Sequence, residues 1–265
     1  MKLISGLAFA AICLVAPLSS VQAQDLTGLD VTSDAFTKSE LTRDQIEAAI
    51  RALPDGKILD LSGKSLNGID LSKLDLRRVK LQSARINKAN FKDADLEGVV
   101  LDQAWALNSD FSGANLKGAS LFASQFGGGK FDGANFANAL VAADFSNASI
   151  KNATFDGANL SADEKNQSMG LMRGAFKSAT LDGSSFKGAN MARVMMEFAS
   201  LKGTDLSGAN LRKGEFAATD FTGANVAGAN FDGADLNSAR IGNMKNAESA
   251  KNMDKAKNRD RANVN

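Results

Sequence analysis

A bulky residue recurs at every fifth position through most of this chain. The centres run from Leu61 to Val141, from Phe145 to Leu160 and from Leu171 to Ile241, 36 in all, and only Ala106 among them is not Leu, Phe, Ile, Val or Met. Segments such as Ala114-Asn115-Leu116-Lys117-Gly118, Ala209-Asn210-Leu211 and Ala234-Asp235-Leu236 display the unit, Ala-Asp/Asn-Leu/Phe-x-x. Two residues before the centre, 20 of the 36 positions hold Ala and another 11 hold Gly, Ser, Thr or Val. Repetition this strict decides the architecture before local propensity does.

A period of five fits neither the roughly 3.6 of a helix nor the alternation of an open strand. It fits a short strand followed by a tight turn. Four such units then close one turn of a coil, with the centre and the small residue two before it facing inward. Positions i and i+20 should stack, and they match by type: Leu61, Leu81, Leu101 and Leu121 form one column, Phe91, Phe111 and Phe131 another. Fifteen Gly occupy the second position after a centre, Gly63, Gly113, Gly118, Gly133 and Gly208 among them, where a tight turn needs positive φ. Each inward Leu or Phe contributes about 1.5–3 kcal/mol on leaving water. A single coil exposes a flat apolar face, so coils must stack and both ends must be covered.

These residues resemble the pentapeptide-repeat family over about 57–241. The resemblance implies an all-β solenoid, a right-handed quadrilateral parallel β-helix. It implies no reaction, because members of the family act mainly as binding surfaces, and a fold does not dictate a function. Some members imitate DNA in shape and charge and bind type II topoisomerases.

Departures from the pattern mark the ends and the one interruption. In the first coil the small position holds Leu59, Lys64, Ile69 and Leu74, which leaves that coil wide or partly open. Just before it, Thr42 and Gln45 have capping-box spacing, Leu41 and Ile46 form a hydrophobic staple, and Ile46, Ile50 and Leu53 share a face. Pro54-Asp55-Gly56 ends the pattern. The spacing predicts a short capping helix over 43–53, within an N-terminal segment 24–56. The interval shrinks to four between Val141 and Phe145 and widens to eleven between Leu160 and Leu171, so Ser161–Gly170 is expected as a polar surface loop. Residues 242–265 are polar, with Met244, Ala247, Ala250 and Met253 at helical spacing. They predict a weak helix fading into a disordered tail.

Residues 1–23 read as a secretory signal: Lys2, an apolar run from Leu3 to about Val15, then Val21-Gln22-Ala23 before cleavage at Gln24. The run is shorter than the ~20 residues an anchor needs. Bulky Ile12 fits poorly before a lipidated Cys13. Cleavage removes the only Cys from a chain that also lacks His and Tyr. Imidazole relays, Cys/His metal cages and thiol chemistry then have no parts, so no catalytic residue, cofactor or metal is expected. The expected location is periplasmic or extracellular. With 31 Lys and Arg against 30 Asp and Glu, nucleic acid is not an expected partner.

Two surface patches stand out. Trp105, the only Trp, should face solvent with Leu107 after it and Phe122 one coil above, a partner anchor; a cation–π contact with Arg85, its expected neighbour directly beneath, is the local alternative. Arg77, Arg78, Lys80, Arg85 and Lys88 belong to a run of nine basic residues over 57–92 that contains three Asp. The preceding 24–56 carries seven acidic and three basic residues, so intramolecular complementarity explains the run, and binding to anionic envelope polymers or lipids is the other reading. Met191, Met195, Met196 and Phe198 divide between core and surface as a Met-rich contact patch. Asp or Asn precedes 17 of the 36 centres, a repetition that points to backbone hydrogen bonding or stacked amide ladders rather than to carboxylate chemistry. The expectation is an exported, non-enzymatic scaffold that binds a protein or envelope component, with a homodimer left open. The alternatives are a topoisomerase-binding DNA mimic and a carboxylate-dependent polysaccharide-active enzyme.

Overall fold

A computed structural model describes residues 37–162 and 172–264, all within one unit, Thr32–Asn265. The expected signal sequence lies outside the described residues. The chain enters through helix α1 (Arg43–Arg51), followed by two short strands, β1 (Leu59–Asp60) and β2 (Val79–Lys80), which pair in parallel with Leu59 opposite Val79. Beyond them each unit is held by single-residue parallel bridges, such as Ser65 to Arg85, Asp70 to Asn90 and Asp75 to Asp95. Each position thus pairs with the one four units later, and four columns of stacked units result, begun by Leu61, Leu66, Leu71 and Leu76.

The backbone of one unit shows why a repeat of five suffices. The Asp110 N–H donates down to Ala89 O (2.9 Å), and those of Phe111 and Gly113 donate up to Lys130 O (2.7 Å) and Asp132 O (2.9 Å). The Ala114 N–H closes the turn onto Phe111 O (3.0 Å). Only the Ser112 N–H remains, and the Asp110 carboxylate accepts it at 2.9 Å. The recurrent Asp or Asn before each centre thus satisfies the one amide that stacking leaves over. Where that residue is absent, an Asp in the coil below serves: Asp102 accepts from the Phe122 N–H (2.9 Å) and Asp132 from the Lys151 N–H (2.8 Å). Amide ladders add to this, with Asn115 donating to Asp95 (2.9 Å) and Asn210 to Asn190 (2.9 Å).

Inside, the twelve Phe at centres are all fully buried. Phe91, Phe111 and Phe131 stack at 4.6 and 5.1 Å between centroids, and Phe136, Phe155 and Phe186 at 4.5 and 4.7 Å. The small inward position leaves these rings their space. A Cβ on Gly214 would meet the Phe216 ring at 2.5 Å. Ser or Thr there is tolerated because its hydroxyl donates to a carbonyl, as Ser109 does to Ile86 O and Thr219 to Met196 O, both at 2.6 Å. All the Gly at the second position after a centre have positive φ, as expected, but so do most of the non-Gly residues that replace them there, from Lys73 and Ser83 to Ala218 and Ser238, with Arg78 and Asn243 among the exceptions. The turn is imposed by stacking, and Gly only lowers its cost.

The interruption resolves into two register changes. Asp144 pairs with Gln125 below, one position short of the regular step, and with Ala175 above, across the insertion, after which Ala175 to Met195 restores the regular step. Phe145 keeps its column through both, stacked on Phe126 at 5.0 Å and beneath Phe176 at 5.1 Å. The columns accordingly step from Leu160 to Phe176. Leu171, expected as the next centre, lies with the rest of 163–171 outside the described residues.

At the N-terminal end α1 is two residues shorter than predicted and has its capping box, with Thr42 accepting from the Gln45 N–H and Gln45 accepting from the Thr42 N–H. Ile46 is 1% exposed and joins the solenoid core, with Leu41 and Ile50 packed against it. Glu40 Oε1 accepts the Ser65 N–H at 2.9 Å, and its other oxygen lies 3.0 Å from Lys64 Nζ, so Lys64 turns outward from its nominally inward position. The other end overturns the expected helix and tail. Lys245, Lys251, Lys257 and Asn263 pair with Asn225, Asn230, Asp235 and Arg240, adding a coil whose units are six long. Three short 3₁₀ turns, each preceded by a left-handed Asn (Asn246, Asn252, Asn258), absorb the extra residue. Met244, Ala247, Ala250, Met253, Ala256 and Ala262 cover the core end. Among the described residues no helix is long and apolar enough to cross a membrane.

Two outcomes follow from this packing. Phe145→Ala, which empties a site bounded by four rings, should cost about 3–5 kcal/mol in urea unfolding, and Phe122→Ala, on a half-buried turn, less than about 1 kcal/mol. Glu40 is held below the ordinary carboxyl value by the Ser65 N–H and Lys64, and Glu47 by Arg43. A depressed folded value stabilises above the unfolded value of about 4.3 and is lost as pH falls through the folded one. Protection of the amides over 39–51 against exchange, relative to the unfolded chain at the same pH, should therefore fall below about pH 4 before that of the central coils.

Candidate interaction surface

The sequence-predicted patch around Trp105 divides between two places. Trp105 lies on the outside of the second column, 41% exposed, bridged to Arg85 below and Gln125 above. Leu107, 37% exposed, occupies the turn that follows. Phe122 sits at the preceding turn one coil up, half-buried, and lines an open groove with Leu140, Ala142 and Ala192.

The basic run does not gather on one face either. Arg77 and Arg78 lie at the turn after the fourth column, Lys80 on the first column, Arg85 on the second and Lys88 at the turn beyond it. Most of their charge is answered within the chain. Arg77 lies 2.9 Å from Asp75 and 3.2 Å from Asp95, and it holds the Asp75 carboxyl below its ordinary value. Arg78 donates to Lys57 O (3.0 Å), Leu53 O (3.3 Å) and Pro54 O, tying down the chain after α1. Arg85 comes within 3.9 Å of Glu40, and Arg43 within 3.6 Å of Asp70. Complementarity between the N-terminal segment and the first coils thus accounts for much of the run.

Of the Met-rich group, Met191 and Met196 are core residues and Met195 is half-buried on the second column. Phe198 behaves differently. It is 61% exposed at the turn after that column, with φ 61°, at a position that Gly takes in many other units. A bulky side chain in the left-handed region is uncommon. Next to it, Glu197 Oε2 is buried without a hydrogen-bond partner. Four coils separate Trp105 from Met195 along one column, roughly 20 Å. Trp105, Leu107 and Phe198 therefore share one side of the solenoid, and Met172, 40% exposed, lines a groove with Gln125, Asp144 and Met195 at the turn before that column. The signal for Phe198 was present in the sequence as a Phe two places off its column.

The pentapeptide repeats profile matches eight copies within 60–138 and 176–244, more than half of the chain. No curated protein is similar to it. Among solved structures it is similar to HetL, a pentapeptide repeat protein involved in heterocyst differentiation regulation in the cyanobacterium Nostoc, with 20% identity, 80% of this chain and 94% of that one covered, and a TM-score of 0.39. Full-length QnrB1, a plasmid-mediated fluoroquinolone resistance protein, has 19% identity over 74% and 92% of the two chains, at a TM-score of 0.45. A pentapeptide repeat protein of the Arabidopsis thaliana thylakoid lumen has 29% identity over 40% of this chain and 68% of its own, at 0.24. The repeats, their four-unit register and the profile that spans them together place this chain in the pentapeptide-repeat family.

Proposed function

We propose that this protein is exported and serves as a non-enzymatic scaffold, holding a protein or cell-envelope component against its second column and the turn that follows. The reading includes a right-handed, four-sided coil sealed at its N-terminal end by α1. Phe198 carries it. A left-handed backbone costs a residue with a Cβ about 1–2 kcal/mol, and an exposed ring recovers little of that by burial. Stacking imposes that backbone, so a Phe left exposed there in place of the less costly Gly has no use within the fold. A partner that covers Phe198 would offset the exposed ring. Trp105 supplies a second aromatic anchor. The net charge of +1 lends no support to DNA mimicry.

Photo-crosslinking in the native cell through probes at 105 and 198 should capture the same partner, whereas a probe at 135 should not. Phe198→Gly should abolish capture through the probe at 105 and leave the unfolding free energy unchanged or raised by about 1 kcal/mol. Loss of stability without loss of capture would assign Phe198 to the fold instead. Mass spectrometry of the fractionated protein should find a chain beginning at Gln24 outside the cytoplasm, and an intact Met1 form retained inside would remove export from the account.

A further inference from the structure

The two ends of the solenoid finish differently. At the N-terminal end α1 closes the core with Ile46, whereas at the other end only the last coil covers it. The inward residues of that coil, Met244, Ala247, Ala250, Met253, Ala256 and Ala262, are no more than half-buried, and Val264, next to Gly242 where the coil ends, is 65% exposed. Among the described residues no further coil pairs with this face. It is a shallow apolar end.

Cations surround it. The three six-residue units, 245–250, 251–256 and 257–262, each open on Lys-Asn and close on Ala, which sets Lys245, Lys251 and Lys257 on three successive columns. Lys255, Arg259 and Arg261 lie on the 3₁₀ turns between them, and all six are exposed. Lys245 is balanced by Glu248, but over 251–261 five basic residues meet only Asp254 and Asp260, a surplus of three within the coil. Below, Arg212 pairs with Asp232 at 3.1 Å and Arg240 with Asp220 at 3.3 Å. Among the described residues none of the six cations of the last coil forms an ion pair. Asp235, one step below Lys257, accepts instead from the Asn237 N–H at 3.0 Å and from Asn258 Nδ2 at 2.8 Å.

We propose that this end of the solenoid docks on an anionic lipid surface, with Met253 and Val264 entering the headgroup boundary and the Lys and Arg of the rim reaching the lipid phosphates. Long Lys and Arg stems lie along apolar surface while their charged heads extend past it. Each cation brought close to an anionic leaflet tightens binding roughly fivefold, and a small apolar face sunk into the boundary adds to that. A second copy, set end to end, fits less well, because it would bring one surplus of positive charge against another. Docking through the end leaves the columns free. The surface carrying Trp105 and Phe198 is separate, so the two proposals stand or fall independently.

The test sediments the full chain, with Cys13→Ser throughout, at low salt with vesicles of phosphatidylglycerol mixed into phosphatidylcholine or of phosphatidylcholine alone. The apolar run after Lys2 is common to every variant, so differences between lipids and between variants are what is read. Phosphatidylglycerol should tighten binding at least about tenfold, and Lys255→Gln/Arg259→Gln/Arg261→Gln should abolish that gain. Lys130→Gln/Lys151→Gln/Lys177→Gln, which removes the same charge from exposed positions in the middle coils, should change it by less than about threefold. An environment-sensitive dye on Val264→Cys should shift to the blue on phosphatidylglycerol vesicles, while the same dye on Asn135→Cys should not, a readout that does not depend on the triple variant folding. Equal binding to both kinds of vesicle, an unchanged triple variant or an unshifted dye at 264 would overturn lipid docking. So would a preference for polyglutamate over the vesicles, which assigns the end to an acidic protein, or a dimer abolished by the same triple variant, which assigns it to a second copy.

Discussion

A narrow interior that admits one large and one small side chain per unit governs everything else in this molecule. Because the large residue must be apolar and the next unit must repeat it, Leu and Phe form continuous columns, and rings such as Phe91, Phe111 and Phe131 meet face to face. The small position follows from the same lack of room, as the close approach of a Cβ on Gly214 to Phe216 makes plain. Turns tight enough to repeat at every fifth position then place a left-handed residue in nearly every unit, Gly or not. This order of causes explains why Lys213 and Phe198 adopt that conformation although neither favours it.

Backbone satisfaction links the interior to the surface. Coil stacking and the turn consume four of the five amides in a unit, and the fifth falls to an outward-facing Asp or Asn. The same stacking makes those side chains neighbours, so they form ladders rather than catalytic pairs. Outward positions released from this duty are where identity can vary. Trp105 is such a departure: the Leu107 N–H that an Asp or Asn there would satisfy donates to Asn87 Oδ1 of the coil below.

The columns, the four-unit register, the role of the repeated Asp and Asn and the capping box of α1 were all legible in the sequence, because each is a local rule repeated many times or a compact local motif. Spacing alone did not show where the columns resume after the insertion; the stacking of Phe176 on Phe145 shows it. The C-terminal coil was missed for a different reason. Met244, Ala247, Ala250 and Met253 mimic a helical face, but the three blocks beginning Lys245-Asn246, Lys251-Asn252 and Lys257-Asn258, each closed by Ala, repeat at every sixth position, a pattern that reads correctly once the left-handed Asn is recognised. The Trp105 patch was located in part. Its neighbours by sequence were placed one turn apart by the winding of the coil, and the exposed aromatic on the same side, Phe198, follows Met195, four coils further along the column.

Engineered disulfides test the winding most directly. Stacked outward positions bring Cα atoms to about 4.8 Å, inside the range of about 4.4–6.8 Å that a disulfide spans. In a chain with Cys13 replaced by Ser, the pair Asn115→Cys/Asn135→Cys, joined by the regular step, and the pair Asp144→Cys/Ala175→Cys, joined across the insertion, should both close on mild oxidation. The pair Asn115→Cys/Lys130→Cys, on different columns, should stay reduced. Closure of that last pair, or failure of either of the first two in a folded protein, would contradict the stacked columns on which the whole account rests.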